Sequence, residues 1–142
     1  PELRRRIGVV FQDFRLLNHL SAFDNVALPL RVSGVRETEV EKNVVELLTW
    51  VGLKEHINAR PPTLSGGQQQ RVAIARVLAA RPRLVLADEP TGNLDEDTAK
   101  VVLDEMLGLV AQTGAALMVV THSDAVAGRM QRRVHLRSGQ LA

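Results

Sequence analysis

The chain has 142 residues, 45% of them hydrophobic, the size of one domain with enough apolar material for a real core. It has no cysteine, which excludes disulfides and thiolate metal sites and fits a reducing compartment. The formal charge is +2, carried mostly by arginine, and aromatic residues are 3% with no tyrosine, so there is little to stack bases on and no nucleic-acid partner is expected.

Arg4 to Arg6 and Arg129, Arg132 and Arg133 concentrate the positive charge locally and read as solvated faces. No apolar run reaches the roughly 18 to 20 residues that span a bilayer, and no signal peptide is visible. The start Pro1-Glu2-Leu3-Arg4 lacks Met and reads as part of something longer. Arg6 to Phe11 is apolar and rich in β-branched residues, which predicts a buried parallel strand ending at Gln12. Ser21 to Leu28 predicts a short helix with Pro29 near its end. Beyond Ser33-Gly34, the apolar residues Val40, Val44, Leu47, Leu48 and Val51 recur at helical spacing, and Gly52 is a C-terminal stop. Arg60-Pro61-Pro62 keeps the approach to Leu64 extended.

The stretch from Thr63 to Asp95 carries the chemistry. Ser65 and Gln68 have the S-x-x-Q spacing of a capping box, and Gly66 and Gly67 bring the backbone close to whatever lies outside, as a helix N-terminus facing an anion requires. That helix is expected to run to Ala80 and to end at Arg81-Pro82. Leu84 to Asp88 is a second buried strand that delivers Asp88 and Glu89 to its C-terminal edge, where open α/β sheets bind ligands. Adjacent carboxylates repel and call for a cation or a proton. An anion cradle beside such a pair points to a nucleoside triphosphate with Mg²⁺: Asp88 to hold the metal and Glu89 to deprotonate the attacking water. Thr98 to Val110 predicts another helix, and Ala116 to Thr121 a third strand that delivers His122 to the same edge. Gln12 is placed there to bridge to the metal or the water. Ser123 to Arg129 is a possible short helix, and Ser138-Gly139 joins a hairpin. Strands alternating with helices predict a parallel α/β sheet, and the helical stretch 21–81 is an insertion between core segments 1–20 and 82–142.

These motifs resemble the ATP-binding cassette (ABC) ATPases over nearly the whole chain. Leu64 to Gln68 matches the signature motif, Leu84 to Asp88 the Walker B strand and Glu89 the catalytic glutamate. Gly92-Asn93-Leu94-Asp95 looks like the D-loop, His122 like the switch histidine and Gln12 like the Q-loop glutamine. Ala87 to Asp95 is similar to the cluster that holds the lipoprotein-release ATPase LolD, the macrolide-export protein MacB and the cell-division ATPase FtsE. Val10 to Leu17 and Asp24 to Ala27 are most similar to FtsE.

The resemblance implies a P-loop NTPase (RecA-like) core and a head-to-tail homodimer. Ser65, Gly66, Gly67, Gln68 and Asp95 would face a partner's ATP, and Asp88, Glu89, His122 and Gln12 would act on nucleotide held by their own lobe. It further implies a permease-type membrane subunit, FtsX-like or LolC/LolE-like, and a place on the cytoplasmic face of the plasma membrane. One part of the family pattern is absent: no lysine follows a glycine-rich loop, since the only lysines are Lys42, Lys54 and Lys100. The Walker A nest and its Lys are therefore missing. The core is expected to be incomplete at the N-terminus, the sheet to carry a gap or an unpaired edge, and the 142-residue chain to be inactive by itself. Two other readings compete. A DNA-maintenance ATPase would show a long heptad pattern or Cys pairs, and neither is present. A non-catalytic module that supplies the signature in trans would not need Asp88, Glu89 and His122 intact.

Overall fold

β1 (Ile7–Val10), β2 (Leu84–Asp88) and β3 (Ala116–Val120) form one parallel sheet in the order β1-β2-β3 in the computed structural model, which describes residues 6–141. Val10 pairs with Ala87, and Asp88 with Val120, so the three C-terminal ends share one edge. The first crossover holds α1 (Ala22–Val32), α2 (Glu37–Trp50) and α3 (Gly66–Ala79), with short 3₁₀ turns at Lys54–His56 and Pro61–Thr63. The second holds α4 (Glu96–Thr113). After β3 come α5 (Asp124–Ala127) and a hairpin of β4 (Leu136–Arg137) and β5 (Gln140–Leu141). Ser138 and Gly139 join these strands with φ of 50° and 76°, both positive as a type I′ turn demands.

Side-chain alternation separates the sheet into two unlike faces. Val85 and Ala87 of β2 are buried beside Val10 of β1. Gly8 shares this face: a β-carbon there would lie 2.3 Å from Cγ1 of Val77, so the missing side chain lets α3 lie against β1. The register puts Ile7, Val9, Leu84, Leu86, Ala116, Met118 and Val120 on the other face, where Met118 is 56% and Val120 60% exposed. The strands are thus buried on one side only, not throughout as their composition predicts. The described sheet has no gap, and its outer edges at β1 and β3 have no strand partner among the described residues.

The core lies between that covered face and the helices. α3 packs against α1, α2 and α4, and the buried side chains Val26, Val44, Leu48, Ile74, Val102 and Met106 belong to one cluster. Asn25 is buried in it, its amide donating to the carbonyls of Leu17, Leu20 and Ser21 at 3.0–3.2 Å and accepting from Leu17 N at 2.9 Å. Two helices outrun their expected ends. α1 continues through Pro29 to Val32, because Ala27 and Leu30 on either side are buried and Ser33 N closes on Pro29 O. α4 starts at Glu96 because Asp95 caps it, and it stops at Thr113, before Gly114 at φ 73°. Among the described residues no helix is long and apolar enough to cross a membrane.

Candidate functional site

Asp88 is the last residue of β2, and Gln12, Glu89 and His122 lie just beyond the C-terminal ends of the three parallel strands. Asp88 and Glu89 nevertheless diverge. Asp88 lines an open hollow of about 330 Å³ together with Phe11, Gln12, Asp13, Arg15 and Asn93. Glu89 takes a left-handed conformation (φ 44°) and turns toward β3. Its Oε1 accepts from the backbone N–H of His122 at 2.6 Å, and its Oε2 accepts from Thr121 Oγ1 at 3.1 Å. Its own N–H donates to Val120 O at 2.8 Å. The two side chains thus face different surroundings, and two donors engage the Glu89 carboxylate. The His122 ring projects fully into solvent, with Nε2 3.9 Å from Glu89 Oε1.

Gln12 is held by reciprocal amide bonds. Its Nε2 donates to Asn93 Oδ1 at 3.2 Å, and Asn93 Nδ2 donates to the Gln12 carbonyl at 3.0 Å. Gly92 leaves room for this amide: a β-carbon on it would lie 2.5 Å from Gln12 Nε2 and would push the Gln12 side chain aside. With the amide nitrogen engaged, the oxygen of Gln12 is the end available to a hard cation. Among the described residues no three His, Cys, Asp or Glu side chains cluster as metal ligands. At the hollow Asp13 is paired with Arg15 at 3.3 Å and Asn93 Oδ1 is taken by Gln12, which leaves the Asp88 carboxylate and the Gln12 amide oxygen. That donor set fits Mg²⁺, since the ion binds few protein ligands and completes its shell with water and phosphate oxygens.

The Ser65 turn is built as a capping box. Ser65 Oγ accepts from Gln68 N at 3.2 Å, and Gln68 Oε1 accepts from Ser65 N at 2.9 Å. Ser65 is exposed, whereas Gly67 is buried against Thr98 of α4, and Gly66 faces Leu94 and Phe14. The two glycines thus serve close packing inside the subunit as well as any approach from outside. The turn does not line the hollow at Asp88. Asp95 accepts from Thr98 N at 3.2 Å, and hydrogen bonding to Thr98 holds its carboxyl below the usual pKa.

Sequence reasoning missed Gln70 and Arg76, both on α3. Gln70 is fully buried, and its Nε2 donates to the carbonyls of Phe11 (2.9 Å) and Pro90. Arg76 donates to the carbonyls of Arg15 and Phe14 at 2.9 and 3.3 Å. A polar side chain on the inner stripe of a helix that is otherwise apolar is the signal that could have marked Gln70.

The family model described as ABC transporter matches residues 1–92. The chain belongs to the ABC transporter family. ABC relatives include the lipoprotein-releasing system ATP-binding protein LolD of Nitrobacter hamburgensis, 47% identical over 97% of this chain and 60% of its own length. The LolD of Novosphingobium aromaticivorans is 49% identical over 97% of this chain and 62% of its own length. Among solved structures, a dimeric ATP-binding cassette in a post-hydrolysis state, bound to ADP and Pi, aligns with a TM-score of 0.84 at 40% identity, over 99% of this chain and 62% of that one. The fold is accordingly that of an ABC ATPase, a P-loop NTPase. The chain spans about three fifths of the length of the curated ABC relatives it matches.

Proposed function

We propose that this chain is the part of an ABC ATP-binding subunit that carries out hydrolysis and completes a partner's nucleotide site. The observation that carries the reading is the shared edge: three parallel strands deliver Gln12, Asp88 with Glu89, and His122 to one rim. Asp88 and the Gln12 oxygen would hold Mg²⁺, which when bound neutralises charge on the β- and γ-phosphates. Glu89, oriented by Thr121 and His122 N, accepts a proton from the attacking water. The exposed His122 imidazole donates to the terminal phosphate. Ser65 and the N–H groups of Gly66 and Gly67, with Gln68 and Asp95 supporting, form the face offered to ATP on a second copy in a head-to-tail homodimer; the dimeric state of the similar solved structure supports this arrangement.

The names of the relatives favour the lipoprotein-release branch over the cell-division branch of the cluster. The finer reading is therefore a subunit on the cytoplasmic face of the inner membrane, docked to a LolC/LolE-like permease through the helical stretch 21–81. The test is Mg²⁺-ATP turnover by the protein expressed from its whole gene. Glu89→Gln is expected to lower kcat by about 10²-fold or more while ATP binding persists. Unchanged turnover in that variant would sink the assignment.

A further inference from the structure

The β1–β2 ladder ends at the pair Val10 and Ala87, before either strand reaches its functional residue. Past that point the two chains part, and the carbonyls of Phe11 and Pro90 have no ladder partner. Gln70 fills that place from the side. It is 0% exposed, and one NH₂ group donates to both carbonyls, at 2.9 Å to Phe11. Two carbonyl neighbours fix which end of the amide is nitrogen, because an oxygen there would face only acceptors. Its Oε1 is buried with no hydrogen-bond partner among the described residues, a cost that an apolar side chain of equal size would avoid. Phe11 immediately precedes Gln12, and Pro90 immediately follows Glu89.

We propose that Gln70 is a positioning residue for hydrolysis, bridging the loops that carry Gln12 and Glu89 and thereby setting their spacing. Gln70 sits on the first turns of α3, the helix whose N-cap is Ser65, so a shift of that helix end moves the bridge directly. The same helix grips the loop again through Arg76, at the carbonyls of Phe14 and Arg15. The spacing of the hydrolytic pair is thus tied to the element offered to the second copy. This inference rests on the ATPase reading above.

The experiment uses the protein expressed from its whole gene, with Gln70→Met, which keeps volume and loses the donors, and Gln70→Asn, which keeps the donors and shortens their reach. Gln70→Met is expected to lower kcat by about 10- to 100-fold, with the KM for ATP and the melting temperature nearly unchanged. Gln70→Asn is expected to fall between it and the unsubstituted protein. In a Gln12→Ala background, Gln70→Met should lose most of its effect, because the residue acts through Gln12. A kcat unchanged in either folded variant, or losses that simply multiply with Gln12→Ala, would overturn the proposal. So would failure of both variants to fold, which would make Gln70 a core residue only. Absence of turnover in the unsubstituted protein would instead overturn the ATPase reading. Amide exchange then decides: faster exchange at Gln12 and Gly92 in Gln70→Met upholds the bridge, and unchanged exchange removes it.

Discussion

Gly67 is buried, and a β-carbon built on it would lie 2.5 Å from Cγ2 of Thr98, the methyl of a stiff β-branched side chain. Two effects oppose each other when alanine is placed there. Leaving glycine behind gains up to about 1 kcal/mol of helix propensity, and overpacking costs about 1–3 kcal/mol. The steric cost should win, because α3 and α4 are in contact and neither can withdraw without opening the core. Gly67→Ala is expected to lower the urea midpoint, and Thr98→Ser, which removes the methyl and keeps the hydroxyl, to restore it. A Gly67→Ala protein as stable as its parent would assign the glycine to ligand approach alone. The same scale explains Asn25 and Gln70, the buried polar side chains of the described core. Each uses its amide to tie together carbonyls of irregular segments that lie outside the strand ladders.

α3 organises its surroundings as an element. Its N-terminus presents the Ser65 cap, its middle carries Gln70, and its last turns carry Arg76. Phe14 and Arg15 are both left-handed, at φ 64° and 52°, and the Arg15 guanidinium stacks 3.9 Å over the Phe11 ring. Consecutive left-handed residues with side chains are unfavourable and persist only where something holds them. Backbone bonds from Phe14 N to Phe11 O and from Arg15 N to Asp13 O close the turn, and Arg76 ties both carbonyls to α3, with burial drawing its pKa below the ordinary value. Arg76→Lys, which replaces the planar fork with a point charge, is expected to cost about 1–3 kcal/mol and to speed amide exchange at Arg15 and Leu16. Equal exchange in both proteins would show that the loop keeps its shape unaided.

At the scale of the whole molecule the two sheet faces differ most. One is sealed by helices, and the other leaves Met118 and Val120 more than half exposed beside Leu84 and Leu86. Contiguous apolar surface of this kind favours self-association. The 142-residue chain is expected to show light scattering that rises with concentration. The double variant Met118→Lys, Val120→Lys should reduce it with little change in melting temperature, since neither side chain belongs to the buried core. A monodisperse parent chain would contradict this.

Periodicity, caps and turn residues act over a few neighbours, and these the sequence alone determined: strand β2 at Leu84–Asp88, the helix from Gly66 after Ser65, the Gly52 stop and the Ser138-Gly139 hairpin all formed where local chemistry placed them. Parallel strand order made the shared rim predictable as well, because every strand end then faces one way. Only the tertiary structure decided that Asp88 and Glu89 part, that Gly67 packs against Thr98, that Gln70 joins two loops, and that one sheet face stays open. Each of these depends on a partner distant in the chain, and a contact between distant segments exists only once packing has brought them together.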